Sequence, residues 1–140
     1  MRLTPLFETT FDVEFGDCDP AGIVFYPRFF GWLDATFQRW LRTHGLDQAA
    51  IRERFGGAGT GLVEASATFR APVRPGERLS LRIAAVDWAP KVFAVRYVGL
   101  VGERRALEGV ERRGLFLAGE NGVLRLGPLA PLRAVLDPQT

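Results

Sequence analysis

The chain has one cysteine, one histidine, one lysine and one methionine in 140 residues, and each scarcity closes a class of function. A single cysteine, Cys18, cannot form an internal disulfide, which suits a reducing compartment and reads as cytoplasmic. One histidine and one cysteine cannot supply a zinc site, and no spacing of acids resembles a calcium loop, so no metal is expected. No apolar run is long enough to span a bilayer, and the start, "MRLTPLFETTF", has no signal-peptide core, so no membrane partner is expected. Charge of one sign never accumulates: 18 basic and 16 acidic residues leave +2, and no basic run exceeds two residues. That excludes nucleic acid as an expected partner. Of the basic residues 17 are arginine, a bias that a GC-rich genome produces, although a few could hold a phosphorylated small molecule.

What is present is a hydrophobic fraction of 47% with 16 glycines, the composition of one globular domain over residues 1–140. Residues 7–15, "FETTFDVEF", alternate strictly and predict a half-buried strand, with Phe7, Thr9, Phe11, Val13 and Phe15 on one face. From Pro27 the period changes: Phe30, Leu33, Phe37 and Leu41 fall at helical spacing, flanked by Phe29, Trp32 and Trp40. Pro27 suits the first turn and Gly45 the stop. So broad an apolar stripe predicts a helix largely enclosed by a sheet. A short second helix is expected over 47–54, and "GGAGTG" (56–61) reads as a loop whose glycines admit close backbone approach to a ligand. Four strands follow, over 62–73, 78–88, 91–102 and 105–119; the last is long enough for a bulge at Gly109 or Gly114. Asn121-Gly122 signals a hairpin, and the tail closes with a turn of helix. One antiparallel sheet with a central helix on one face is an α+β architecture.

Few side chains are placed for chemistry. His44 with Ser66 or Ser80 lacks any nucleophile-elbow setting, and beside Gly45 it reads as a cation at a helix C-terminus. Cys18 reads as packing. "GGAGTG" does not follow a strand and open a helix, so it is no dinucleotide fingerprint. There remain Asp17 and Asp19, in "FGDCDPAGIVFYPRFF" (15–30), which have two readings. Either is a cap or turn former ahead of the helix. Alternatively a carboxylate, an apolar stretch (Ile23-Val24-Phe25-Tyr26) and a helix N-terminus form a two-part site. One part attacks or activates water, and the other stabilises an oxyanion. Tyr26 can donate its N–H there; Pro27 cannot.

The same segment resembles the signature of the 4-hydroxybenzoyl-CoA thioesterase family, F-G-D-C-D-P-A-G-I-V, unbroken over residues 15–24 and continued by W-L-D-A at 32–35. "GTGLVEASATF" (59–69) and W-x-x-K-x-F (88–93) agree with the family in order, so the resemblance spans essentially the whole chain. It implies a hotdog fold, a curved antiparallel sheet of five or six strands wrapped around the helix from Pro27. It also implies edge-to-edge homodimers, often stacked as homotetramers, with active sites between subunits. The activity implied is hydrolysis of an aromatic acyl-CoA thioester, with no cofactor, since coenzyme A is part of the substrate. By the resemblance Asp19 is the catalytic carboxylate, the Tyr26 N–H polarises the thioester carbonyl, and Thr60 lies near the acyl pocket. Lys91 and Arg125 hold coenzyme A phosphates, and Asp17 supports the loop. The chain departs from the family at Ala89-Pro90, where an arginine precedes the lysine, and at Arg28-Phe29-Phe30-Gly31, in place of an Asn-Tyr-His-Arg-like run. Two alternatives stand beside this reading: a short-chain aliphatic or hydroxyacyl-CoA thioesterase, and a non-catalytic acyl-CoA-binding module.

Overall fold

In the computed structural model, which describes residues 4–138, a helix of two and a half heptads lies across a six-stranded antiparallel sheet. The helix, α1 (Pro27–Thr43), starts at a proline whose missing N–H would have had no helical partner. It stops at Gly45, with φ of 71°, where Leu46 N–H bonds Leu41 O and Gly45 N–H bonds Arg42 O. This pair of bonds satisfies carbonyls that the helix end leaves open. Leu33, Phe37 and Leu41 are fully buried, and Phe29 and Trp40 nearly so. Burying the first three alone is worth roughly 5–9 kcal/mol before entropy is counted. A short α2 (Gln48–Phe55) follows, capped by Asp47, whose carboxylate accepts from Ala50 N–H at 2.7 Å.

The strands are β1 (Phe7–Asp12), β2 (Gly59–Phe69), β3 (Arg78–Trp88), β4 (Phe93–Val101), β5 (Arg104–Ala118) and β6 (Leu124–Leu126), with a terminal α3 (Ala130–Leu136). Their order is β1-β3-β4-β5-β2, and β6 pairs with β5 beyond the end of β4. Inward residues Leu79, Leu81, Ile83, Phe93 and Val95 are fully buried against α1. Outside, β1, β3 and β4 carry arginine–carboxylate pairs: Asp12–Arg78, Glu8–Arg82 and Asp87–Arg96. Three of the 17 arginines are spent there, in pairs too exposed to add more than a few tenths of a kcal/mol each.

Three expectations need correction. The strand expected over 62–73 is Gly59–Phe69 instead, so Gly59, Thr60 and Gly61, read as loop, pair with β5. The first strand ends at Asp12, not residue 15, because Phe15 opens a 3-10 turn (Phe15–Asp17) and stands 88% exposed. The register shift on β5 lies between the Gly99–Leu107 and Leu100–Arg105 pairs, leaving Ala106 extra, and neither Gly109 nor Gly114 is a bulge. Those glycines make room instead: a Cβ on Gly109 would stand 2.9 Å from Leu33 Cδ1, and one on Gly114 2.4 Å from Leu126 Cδ2.

Candidate active site

The segment between β1 and α1 is held by its own residues in a small closed loop. Asp19 occupies the first position of a turn, Pro20 the second and Gly22 the fourth, with Gly22 N–H donating to Asp19 O at 2.9 Å. Pro20 presets the turn's φ, and Asp at the first position is preferred because its side chain can accept from the backbone two residues on. Here Asp19 Oδ1 accepts from Ala21 N–H at 2.9 Å. Asp19 N–H bonds Ile23 O, and a bridge joins Cys18 to Val24. One carboxylate oxygen is therefore committed to the turn, and Oδ2 has no partner among the described residues. Asp17 is used up differently. Its Oδ2 accepts from Glu14 N–H at 2.8 Å, its Oδ1 lies 3.2 Å from Arg28 Nε, and its carbonyl accepts from Phe25 N–H.

Asp19 lines a cavity of about 540 Å³ whose walls are Ile23, Val24, Phe25, Tyr26 and Phe29 on one side and Phe69 to Val73 on the other. Phe29 and Phe69, which both line it, pack on each other with ring centroids 5.3 Å apart. At the start of α1, Arg28 N–H bonds Phe25 O, Phe29 N–H bonds Tyr26 O and Pro27 has no N–H. Tyr26 N–H has no acceptor among the described residues, and Tyr26 also lines the cavity. A half-buried carboxylate and an unoccupied amide at the positive end of a 17-residue helix thus share one apolar hollow.

The remaining site candidates lie elsewhere. Thr60 sits at the opposite end of β2 from Phe69, where its N–H and hydroxyl bond the Gln48 side chain at 2.9 and 2.8 Å. Lys91, in the β3–β4 turn, and Arg125, on β6, are exposed and lack a carboxylate partner among the described residues. The Lys91 backbone approaches Gly114, whereas the Asp19 cavity adjoins Ala106, to which Arg70 and Ala71 bond. Eight residues of extended β5 separate the two, roughly 25 Å. One chain brings Asp19 and Tyr26 together and leaves Thr60, Lys91 and Arg125 at its other end.

Other chemistries lose ground on geometry. Burial raises the Cys18 thiol pKa, with Asp17 and Asp19 adding to it, so the thiol keeps its proton. His44 is at the far end of α1, on Trp40 O and the Thr43 hydroxyl. The glycines of 56–61 serve protein contacts rather than a ligand: a Cβ on Gly57 would fall 2.3 Å from Phe116 O, and one on Gly59 2.6 Å from Gln48 Oε1. Sequence reasoning missed a buried polar line from sheet to helix. Tyr97 donates to Glu111, Arg113 Nε bonds Glu111 at 3.1 Å, and Arg113 also reaches Asp34 on α1 at 2.7 Å. The signal was available: Gly109, Glu111, Arg113 and Leu115 share the inward face of β5 by alternation.

A curved antiparallel sheet closed on one helix, with a carboxylate beside that helix's N-terminus, is the hotdog architecture. Residues 13–120 match the thioesterase-like superfamily, and the chain belongs to that family. It is 36% identical over 87 residues to a 4-hydroxybenzoyl-CoA thioesterase from Pseudomonas sp. strain CBS-3, a match that spans 61% of each chain's length. It is 27% identical over 116 residues to a 1,4-dihydroxy-2-naphthoyl-CoA hydrolase from Synechococcus sp. strain CC9605, covering 80% of this chain and 78% of that one. The solved structure of the Pseudomonas enzyme superposes with a TM-score of 0.81 at 26% identity, over 93% of this chain and 97% of that one. Among the described residues no helix is long and apolar enough to cross a membrane.

Proposed function

We propose that this protein hydrolyses an aromatic acyl-CoA thioester to the free acid and coenzyme A, with Asp19 as the catalytic carboxylate. The observation that carries the reading is the shared hollow: Asp19 with one oxygen unbonded, and Tyr26 N–H without an acceptor, in one cavity walled by Phe25, Phe29 and Phe69. The names of the relatives, which act on hydroxybenzoyl and dihydroxynaphthoyl thioesters, support an aromatic acyl group.

The thioester carbonyl oxygen accepts from Tyr26 N–H, where the helix dipole favours the negative charge that develops on it. Asp19 Oδ2 then acts at the carbonyl carbon, either by attack, giving a mixed anhydride that water opens, or by taking a proton from the attacking water. In both routes the C–S bond breaks and the thiolate takes up a proton; the acid's new oxygen comes from water on the general-base route, and from Asp19 when water opens the anhydride at the Asp19 carbonyl carbon, water then replacing that oxygen. Burial in an apolar hollow strips the carboxylate of water that would otherwise blunt it. Coenzyme A enters and leaves as part of the substrate, and no resident cofactor is needed.

The site is completed by a second copy. β2 is an edge strand with Leu62 and Val63 about half exposed, and its outer edge is unpaired. Antiparallel pairing of two β2 strands about a two-fold sets the Phe69 end of one beside the Gly59 end of the other. That places the Asp19 cavity of one copy against Thr60, Lys91 and Arg125 of the partner subunit, closing the gap that one chain leaves. The assembly is thus a homodimer, which can stack into a homotetramer.

The test is Asp19→Asn assayed with benzoyl-, 4-hydroxybenzoyl- and short aliphatic acyl-CoA and a thiol reagent. Asparagine keeps the Oδ1 bond to Ala21, so the loop survives while kcat falls by about 10²–10⁴. Undiminished turnover removes Asp19 from the reaction, and binding without thiol release by the wild type makes the protein a carrier. Single turnover in ¹⁸O water reads the route: label in Asp19 identifies an anhydride opened at its own carbonyl carbon, which general-base attack by water never produces.

A further inference from the structure

The sheet has two edges, and the chain treats them differently. β2 forms one, with Leu62 and Val63 about half exposed. β1 lies at the other end of the strand order and pairs with β3. Val13 N–H bonds Glu77 O, so Val13 directs its backbone groups at β3. By the alternation of an antiparallel ladder Phe7, Thr9 and Phe11 do the same, while the backbone groups of Glu8, Thr10 and Asp12 point away from the sheet. Those outward groups are the ones a further strand would pair with.

One of them is already taken. Arg39, on α1, donates from Nη1 to Thr10 O at 3.2 Å and to the Thr9 hydroxyl at 2.7 Å. Its guanidinium carbon lies 4.3 Å from the centre of the Phe11 ring, and Phe11 stacks on Trp32 with centroids 5.8 Å apart. Contacts to residues 9, 10 and 11 thus hold the side chain across the seam between helix and strand. A guanidinium seated on the outward carbonyl occupies the place an incoming N–H must reach. The outward side chains add to this. In antiparallel pairing of two β1 strands about a two-fold at Thr10, Glu8 of one copy stands opposite Asp12 of the other, and like charges set directly opposite are destabilising. Arg82 and Arg78 pair with those carboxylates and offset part of the repulsion, which leaves Arg39 as the main obstacle. Along β2 the comparable contact is Gln48 Oε1 with Thr60 N–H at 2.9 Å, at the very start of the strand. The backbone of residues 61–69 has no side-chain partner among the described residues, so that edge stays open.

We propose that Arg39 guards the β1 edge against a second copy of this chain, so that assembly through β2 ends at two. Two open edges on every copy would let two-fold pairing run on into a ribbon; one guarded edge closes the assembly. The stop at two rests on the β2 pairing proposed above, whereas the block at β1 stands without it.

Sedimentation across a range of protein concentration tests the guard. Arg39→Met keeps an apolar stem over Phe11 and removes every donor, while Arg39→Lys keeps a donor. The wild type and the lysine variant hold one mass, and the weight-average mass of the methionine variant rises about twofold or more with concentration. Adding Thr10→Pro deletes an outward N–H, which an edge strand tolerates, and returns the mass to that of the wild type. Thr9→Val, which removes the hydroxyl anchoring the guanidinium, shifts the mass in the same direction and serves if Arg39→Met fails to fold. Arg39→Met, or in its place Thr9→Val, sedimenting as the wild type overturns the proposal. Larger material that Thr10→Pro leaves in place overturns it too, because such material forms through another surface. A monomeric wild type whose Arg39→Met variant dimerises refutes the β2 pairing and leaves the guard standing.

Discussion

Replacing Arg113 by leucine removes the one cation from a buried line of charges. Arg113 is 2% exposed and Glu111 1%; Glu111 receives Arg113 Nε at 3.1 Å and the Tyr97 hydroxyl besides. The guanidinium also lies 4.1 Å above the Phe37 ring and 2.7 Å from Asp34, whose side chain is 49% exposed. Asp34 would rehydrate; Glu111 could not. Stranding a buried carboxylate costs about 3–5 kcal/mol, which lowers Tm by roughly 10–20 °C in a domain of this size. Burial already raises the Glu111 pKa against the opposing pull of Arg113, so the leucine variant raises it further. The folded protein then binds a proton that the unfolded chain has released. Stability therefore falls as pH rises from the ordinary glutamate range to the raised value, and the fall is larger in the variant than in the wild type. Urea unfolding from acid to neutral pH, at fixed protein concentration, measures this. The triple change Tyr97→Phe, Glu111→Leu, Arg113→Leu deletes the whole line and should recover most of the loss. A single variant losing under 1 kcal/mol, or a triple worse than the single, refutes the reasoning.

Two further outcomes follow from the geometry of α1 and β2. Tyr26 has φ of −55°, a value proline adopts, and its N–H has no acceptor among the described residues. Tyr26→Pro therefore deletes one donor at no cost in protein hydrogen bonds, and kcat should fall about 10²–10³ while Tyr26→Phe stays near wild type; equal activity of the two would take the amide out of the mechanism. Val63→Asp sets a charge on the open edge of β2, where the side chain is 51% exposed in a single copy. Sedimentation should show monomers, and turnover should fall with assembly; a fully active monomer would refute the two-copy site.

The sequence was most legible where one physical rule acted alone. The span of α1 followed from an apolar period between Pro27 and Gly45, and β3 from an apolar-rich segment set between two turn signals. It was less legible where two rules competed. Phe15 continues the β1 alternation, but the capping bond from Glu14 N–H to Asp17 turns the chain first and leaves the ring outside. The glycines of 56–61 and of β5 show only that no side chain fits; what fills the space is set by residues distant in sequence, Phe116, Gln48 and Leu33. Asp19 and Tyr26 could be paired from spacing because one loop carries both. The Glu111–Arg113 pair could not be joined to Asp34, because that contact depends on α1 docking against β5.

Asp17 and Asp19 are two residues apart, and the loop gives them opposite fates. Asp17 is spent on three contacts, to Glu14, Arg28 and Phe25, that fix the approach to α1. Because Asp17 holds Arg28, that guanidinium is kept off Asp19, whose Oδ2 has no partner among the described residues. Had the cation paired with Asp19 instead, its carboxylate would be neutralised and a poor nucleophile or base. Freeing Arg28 should therefore matter more than its exposed ion pair suggests. Asp17→Asn removes the charge that anchors the guanidinium, at a stability cost of no more than about 1 kcal/mol. It should lower kcat through Asp19, and Arg28→Ala in the same chain should restore it. Loss of activity that the second substitution leaves unchanged would mean that Asp17 acts on the loop's shape alone.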